Sequence, residues 1–536
     1  MKVLLLSNIN MRPLMSQLAP WETTWGSYNS MLADLATSTS AAAATDLSHV
    51  ICMFDTDTLL GEALYGTGPA DQCHLLLTVL DGFCERHPEK IVVTNTFCVS
   101  SNRWLGFADF LHEASIKNLE IQLNAKLAAT ARRRPNLVVL DLEILFRRHG
   151  EDSLVSNAFW YVGRIRYTAT MFELLGTTIK SALNAHAQKS RKVLALDLDN
   201  TLWGGIVGEV GALGITLGED GPARCFRDFQ RALKAVQKTG VLLVVVSKNN
   251  ASDVDEVFER NKMMVLRRED FVMIRANWQS KAENIVAIAD ALNLGVDSFV
   301  FIDDNPVERE EIIRFLPEVA VPAFPGRPED LTNWLLRDVV SEHFSRYTIT
   351  QEDATKTKQY CANEARQKLA LGFDLDSYLA ELGIECAISV DLENQLVRAA
   401  QMTQKTNQFN LTTRRYDVTD VARFLRSSQH AVVMLEYRDR FGDEGSVALA
   451  IVDLAEARID TFLTSCRVIG RKVEDRLLDK AIELCQARGH QKIIGEYVPT
   501  KKNQLVADFY DSHGFSPVNV STDGRKMYER KIDAGL

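Results

Sequence analysis

Residues 193–203 read VLALDLDNTLW, an apolar run that leads straight into two carboxylates, Asp197 and Asp199. No other feature of the chain restricts its fold and chemistry as strongly. The run predicts a buried strand of a parallel α/β sheet, and the carboxyl edge of such a sheet is where ligands bind. Two carboxylates side by side there repel each other unless a cation lies between them, and hard oxygen donors favour Mg²⁺. D-x-D-x-T in this setting is the signature of an aspartate nucleophile with a second aspartate beside it. The pattern therefore predicts phosphoryl chemistry with Mg²⁺ as the cofactor.

Three further landmarks follow in order, each at the end of a strand or the start of a helix. Ser247 closes GVLLVVVS and offers a hydroxyl to a phosphate oxygen, with Asn249 close behind. Lys281 opens a helix in WQSKAENI and supplies a fixed positive charge against phosphate and carboxylates. Asp303 and Asp304 end SFVFIDDNP and bring carboxylates for a metal to another strand end. A lone serine, lysine or D-x-D is most often a cap, a solvated side chain or an accident; four ordered motifs on the right elements are not. Between the first two motifs lies only WGGIVGEVGALG, whose glycines suggest a small hairpin flap rather than a cap domain.

At 536 residues the chain exceeds one core, and domain-size priors give roughly three to four units. A net charge of -10 leaves no electrostatic footprint for nucleic acid. The nine cysteines form no C-x-x-C pair or His/Cys cluster, so neither a zinc site nor a disulfide framework is expected. The apolar N-terminus MKVLLLSNINM lacks a cleavage site and reads as a first strand, and no stretch approaches the length of a membrane span. These readings predict a reduced, cytoplasmic protein.

Up to residue 188, apolar runs (VLLLS, VICMFD, KIVVTN, LVVLDL) alternate with helical patterns, the rhythm of a parallel sheet with crossover helices. Residues 189–343 repeat it, with a helix from Phe226 to Thr239 whose Phe226, Phe229, Leu233 and Val236 share one face. Residues 344–536 begin helical and charged and turn strand-rich near VVMLEYRDRF, SVALAIVDL and ARIDTFLTS. The fold class expected is α/β in three domains: two parallel α/β sheets and a mixed α+β domain.

The four motifs resemble those of the haloacid dehalogenase (HAD) superfamily, which implies a Rossmann-like core. By that resemblance Asp197 attacks phosphorus, and Asp199 protonates the leaving oxygen and then activates water. The metal is held by the Asp197 carboxylate, the Asp199 backbone carbonyl and Asp303, with Asp304 either behind Asp303 or a water-mediated ligand.

In the third domain, TFLTSCRVIGRKVEDRLLDKAIELCQARG reads as a strand, a turn holding Gly470 and a helix, and backbone amides at such a turn can cradle phosphate. It resembles the acyl-CoA or phosphopantetheine loop of the GNAT acetyltransferase fold, with Arg467 and Gly470 as its phosphate-binding residues. Lys472 stands where that loop carries a small residue, which argues against ordinary CoA binding. Cys466 precedes the loop beside Arg467, Arg471 and Lys472; cationic neighbours and a helix N-terminus favour a thiolate, although a cysteine taken alone is more often a small buried apolar residue.

DLDNTLWGG, RAAQMTQKTNQFNLTTRRY, DRFGDEGSVALAIVD and SCRVIGRKVE resemble the FkbH family of HAD-type glyceryl transferases over essentially all of the chain after about residue 190. The residues before that resemble the SGNH-hydrolase-like domain that often precedes such a core. SNIN at 7–10 replaces the usual G-D-S block and no D-x-x-H precedes the boundary, so that domain is expected to be non-hydrolytic. The family resemblance implies transfer of a glyceryl unit from 1,3-bisphosphoglycerate, with dephosphorylation, to the phosphopantetheine thiol of an acyl carrier protein in polyketide biosynthesis, with Cys466 holding the unit as a thioester. In the block 403–416, Lys405, Asn407, Asn410, Arg414 and Arg415 are candidates for holding a polar substrate, or equally parts of a well-capped polar loop. Two other functions remain open on the residues: a metabolite phosphatase coupled to N-acylation, and a silent scaffold that docks a carrier protein.

Overall fold

The computed structural model describes residues 1–532 except 27, 38, 39, 45, 102, 188, 189, 348, 350, 371–373 and 522, and it gives no side-chain description for several others, Lys405 and Cys466 among them. The chain forms two compact units: residues 1–191 with 333–349, and residues 192–332 with 350–536. The domain boundary expected at 188/189 lies outside the described residues. Residues 333–343, assigned by sequence to the second domain, pack with the first unit.

The first unit holds a parallel sheet of β1 (Lys2–Leu6), β2 (Glu22–Trp25), β3 (His49–Cys52), β4 (Ile91–Asn95) and β5 (Leu137–Leu140), in the order β2-β1-β3-β4-β5. Alternate residues serve opposite faces: Leu4 and Leu6 join the core with Phe83 and Leu123, while Val3 and Leu5 join the one with Met171 and Leu175. Residues 333–349 belong here because they extend this packing. Tyr347 donates its hydroxyl to the Leu137 carbonyl at 2.7 Å and accepts from the Val139 amide at 3.0 Å, both on β5. At the carboxyl edge, Asn8 and Asp55 exchange side-chain-to-backbone hydrogen bonds of 2.9 Å, and Asn95 pairs in the same way with Phe54. These carboxamides staple the loops together, and Ser7 accepts a hydrogen bond from the Ile9 amide.

The second unit contains two sheets. The first is fully parallel, with β6 (Val193–Leu196), β7 (Leu242–Ser247), β8 (Phe271–Ala276) and β9 (Phe299–Ile302) in the order β8-β7-β6-β9. Every residue of β6, β7 and β9 is buried, as a parallel sheet covered on both faces requires. The helix Gly221–Gln237 begins at Gly221-Pro222, five residues before the expected start, because proline is tolerated in a first helical turn; it buries Phe226, Phe229, Leu233 and Val236. The expected hairpin flap is instead a loop closed by one antiparallel bridge, Gly204 to Thr216, carrying a single helical turn, Val207–Val210. Left-handed φ values at Gly205 (91°) and Gly211 (72°) break any continuous strand pairing there.

The other sheet is mixed: β10 (Glu385–Val390), β11 (Phe409–Asn410), β12 (His430–Asp439), β13 (Gly442–Asp453), β14 (Arg458–Thr464), β15 (Lys492–Tyr497), β16 (Ser516–Val520) and β17 (Lys526–Lys531). Its order is β10-β12-β13-β14-β15-β17-β16, with β11 paired to β14. β14 and β15 run parallel and share one register pair, Arg458 with Ile494, beyond which they diverge. The helix Val473–Ala487 packs Leu477, Leu478 and Ala481 on one face of the sheet.

The helix Gln351–Ala370 joins the two sheets into one unit. On the parallel sheet, Tyr360 packs against the core and Cys361 donates its thiol to the Phe271 carbonyl at 3.7 Å. On the mixed sheet, the fully buried Arg366 forms a bidentate pair with Asp439, at 2.6 and 2.7 Å, and a further pair with Glu444. Among the described residues, no helix is long and apolar enough to cross a membrane.

Candidate active site

β6, β7 and β9 are adjacent and parallel, so the residues that follow them meet at one edge. Asp197 leaves β6, Ser247 closes β7 and Asp303 leaves β9. Lys281, at the first position of the helix Lys281–Leu292, reaches this edge from the side: its Nζ lies 2.9 Å from Asp197 Oδ1 and 2.5 Å from Asp303 Oδ2. Ser247 Oγ donates to Asp197 Oδ1 at 2.6 Å. All four residues are buried.

Carboxylates of Asp197, Asp303 and Asp304 offer three oxygens within 4.8 Å of one another, a hard donor set able to hold a divalent cation. Three carboxylates against one ammonium leave the cluster short of positive charge, and the titration of its members reflects this. Burial, with Asp303 adding to it and Lys281 opposing it, pushes Asp197 up to about 6. Burial also raises Asp303, against the pull of Lys281, and raises Asp304, to which the Asp197 charge adds. Burial works to lower Lys281, but Asp197 and Asp303 outweigh it and the ammonium is held above its ordinary value.

The Asp199 carboxylate is held by the flap and by Asn249. Its Oδ1 accepts from Trp203 Nε1 at 2.9 Å and from the Val207 amide at 3.1 Å, and its Oδ2 accepts from Asn249 Nδ2 at 3.0 Å. Asn249 also donates to Ser247 Oγ at 3.1 Å, so one carboxamide ties the Asp199 carboxylate to the strand end that steadies Asp197. Asn200 takes a left-handed conformation (φ 53°), and its Oδ1 accepts from the Gly205 amide, which fixes the turn between the two acids and the flap. The arrangement suits an in-line displacement at phosphorus: a carboxylate nucleophile steadied by a lysine and a serine, and a second carboxylate held beside it by the flap.

Two contributors escaped the sequence reading. Trp203 is fully buried four residues after Asp199, and Arg309 donates to the carbonyls of Asp303 and Asp304 at 2.7 Å each. The first could have been found from its place in DNTLW; the second, one turn into the helix Pro306–Phe315, carried no signal.

The block 403–416 is not an open polar surface. β11 lies in the opening between β14 and β15: Phe409 pairs with Thr464, the Leu411 amide donates to Phe462, and the Val498 amide donates to Leu411. Its polar groups hold this strand in place. Asn410 is fully buried and caps the Thr413 amide, Asn503 donates to the Asn410 and Val498 carbonyls, and Arg414 bridges Asp460 on β14 to Glu496 on β15. Arg415 binds the Thr403 and Thr406 carbonyls and Asn407 Oδ1. Asn407, Asn410, Arg414 and Arg415 therefore serve the loop's own architecture, and Lys405 lies outside the described side chains.

In the loop after β14, Cys466–Val468 forms a single 3-10 turn, and the Cys466 side chain is outside those described. Arg467 pairs with Glu444 and Gln359 and donates to Ser465, and Gly470 is left-handed (φ 80°) with open space beside it. Two acids, Glu474 and Asp475, occupy the first turn of the following helix, which disfavours phosphate at that N-terminus.

The crystal structure of the N-terminal part of the protein BF1531 from Bacteroides fragilis, containing a phosphatase domain and complexed with Mg, is similar to 62% of this chain and 92% of its own, at 28% identity and a TM-score of 0.57. The ribosomal-protein-S18-alanine N-acetyltransferase from Escherichia coli matches 28% of this chain and 97% of its own at 16% identity, and Ard1 from Thermoplasma volcanium matches 28% and 98% at 16%; their TM-scores, 0.23 and 0.22, are too low to carry an argument. No protein-family model and no curated protein matches the chain.

Proposed function

We propose that the chain is a Mg²⁺-dependent enzyme that removes phosphate at the Asp197 site and loads the glyceryl unit of 1,3-bisphosphoglycerate onto the phosphopantetheine thiol of an acyl carrier protein. The observation that carries the phosphoryl-transfer half is the buried Lys281 ammonium between Asp197 and Asp303 at the carboxyl ends of neighbouring strands. Likeness to a Mg-complexed phosphatase domain supports the same half. Asp197, Asp303 and Asp304 would hold the metal, which neutralises phosphate charge and polarises the phosphoryl oxygens.

In this reading the Asp197 carboxylate attacks phosphorus, the ester P–O bond breaks, and Asp199 gives its proton to the leaving oxygen. Asp199 then takes a proton from the water that cleaves the aspartyl phosphate. Lys281 and Ser247 keep Asp197 aligned throughout, and Trp203, Asn249 and the Val207 amide keep Asp199 in reach of the leaving group.

The glyceryl half rests on the FkbH-like blocks and on the chemistry of an acyl phosphate, already an activated acyl donor. A Cys466 thiolate attacks the acyl carbon, the C–S bond forms and phosphate leaves; the carrier thiolate then displaces Cys466. N-acylation by the C-terminal domain from acyl-CoA is the less favoured reading, because β11 occupies the β14/β15 opening. A silent scaffold is disfavoured by the intact acid and lysine cluster. Intact-protein mass spectrometry of the enzyme and a phosphopantetheinylated carrier, after incubation with Mg²⁺ and freshly generated 1,3-bisphosphoglycerate, tests the proposal. A glyceryl increment on the carrier, lost in Cys466→Ser, supports it; phosphate release with neither protein acylated overturns the loading half.

A further inference from the structure

The segments that follow β3, β4 and β5 leave the first unit at one edge of its parallel sheet, and side chains tie them together. Asp57 accepts from the Ser100 amide at 3.1 Å and pairs with Arg166 at 3.1 Å, and Glu151 accepts from the Ser101 amide at 2.9 Å. The Trp104 ring lies over Gly66, where a Cβ would meet it at 2.6 Å. Two elements on this edge are amphipathic in the reverse sense. Residues three apart share a face of a 3-10 turn. In Gly106–Phe110 that face holds Phe107 and Phe110, both out in solvent with Trp104 a step before them, whereas Asp109 is buried beside Arg103. The helix Asn157–Gly163 reads NAFWYVG and buries none of its residues; Tyr161 is 81% and Val162 91% exposed. A helix this apolar is ordinarily covered by protein.

With Tyr65, Leu111 and Phe159, which are also exposed, these side chains present on the order of 1,000 Å² of apolar surface, at about 150–250 Å² for a whole aromatic side chain. The largest apolar patch on a monomer is typically about 300–600 Å². Each partner in a stable complex buries about 800 Å², so this edge offers the area that a dimer needs. Its rim carries both signs of charge. Exposed Glu62 lies in the turn that ends at Tyr65, exposed Glu113 two residues past Leu111, and exposed Arg164 two residues past Val162. A two-fold axis sets different parts of one patch against each other, so the acids of one copy have Arg164 of the other to pair with. An anionic lipid surface would call for cations alone.

We propose that this face is the interface of a symmetric homodimer, with the turn Gly106–Phe110 and the helix Asn157–Gly163 of each copy buried against the other. Full-length protein at micromolar concentration is followed by sedimentation equilibrium and by amide hydrogen exchange. The wild type sediments at twice the 60.1 kDa of the chain. Phe107→Ser with Phe110→Ser, and separately Tyr161→Ser with Val162→Ser, raise the dissociation constant by at least about a hundredfold, because large aromatic side chains dominate the affinity of an interface. Circular dichroism matching the wild type's shows that each variant is folded. In the first variant the amides of residues 159–162 exchange faster than in the wild type, and in the second those of 107–110 do. Leu505→Ser, at an exposed apolar site of the second unit, keeps the doubled mass. A wild type at 60.1 kDa, a doubled mass kept in either paired variant or lost in Leu505→Ser, or wild-type amides at these two segments that exchange no slower than the variants', overturns the proposal. None of these outcomes bears on phosphate release at Asp197.

Discussion

Asp197→Asn should kill turnover and, in the absence of metal, stabilise the protein. The carboxyl titrates near 3.8 when unfolded and at about 6 when buried beside Asp303. A carboxyl raised on folding contributes its stability below the unfolded value and loses it as the pH climbs through the folded value. The window is therefore about 3.8 to 6, and the loss is two pKa units, about 3 kcal/mol. Asparagine keeps an oxygen for Ser247 and Lys281 to donate to, carries no charge, and leaves Lys281 paired with Asp303. In EDTA the variant should exceed the wild type by about 3 kcal/mol at pH 7.5, by roughly half of that at pH 5, and by little near pH 3.8. Differential scanning calorimetry of both proteins at each pH reads this as a few degrees in the transition of the second unit. A variant no more stable at pH 7.5, or equally stabilised at pH 5 and 7.5, would refute the reading of a charge-frustrated acid cluster.

Other consequences are as direct. Mg²⁺ added at pH 7.5 should raise the wild-type transition and raise that of Asp197→Asn much less, by calorimetry with matched EDTA controls. Trp203→Phe removes one of three donors to Asp199 while keeping an aromatic in the buried slot; phosphatase kcat should fall by about tenfold with KM little changed, since an interaction worth about 1.4 kcal/mol in the transition state is lost. An unchanged kcat would show that Trp203 only packs. Arg366→Met leaves the buried Asp439 without its cation and Glu444 with Arg467 alone, and should cost about 3–5 kcal/mol by urea denaturation. A loss below 1 kcal/mol would mean that the helix Gln351–Ala370 is held by its apolar contacts alone.

The parallel sheets were legible because their strands are short apolar runs ending in chemistry-bearing residues, and Asp197, Ser247, Lys281 and Asp303 stand out for the same reason. β2 was not, since ETTW is an edge strand with half-exposed residues and no apolar run. The flap's glycines announced a turn but not which turn, because a positive φ at Gly205 and Gly211 is compatible with a hairpin or with a helical turn between bridges. Residues 333–343 look like the end of the second domain, and 344–349 like the start of the third, until Leu335, Val339 and Phe344 are seen buried and Tyr347 is seen on β5. The block 403–416 shows the limit most clearly. Thr, Asn, Gln and Arg can bind a substrate or tie down a strand with equal ease, and the decision lies with partners far along the chain: Asp460 and Glu496 for Arg414, Asn503 for Asn410. Local sequence carries no record of such pairings.

The most direct test of the central claim, that Asp197, Asp199, Lys281 and Asp303 form a phosphoryl-transfer centre, is inorganic phosphate release from 3-phosphoglycerate and p-nitrophenyl phosphate by the wild type and Asp197→Asn, each with Mg²⁺ and with EDTA. Release by the wild type with Mg²⁺ alone, and by the variant in neither condition, is the result predicted. Release that persists in Asp197→Asn, or in the wild type without metal, would contradict it.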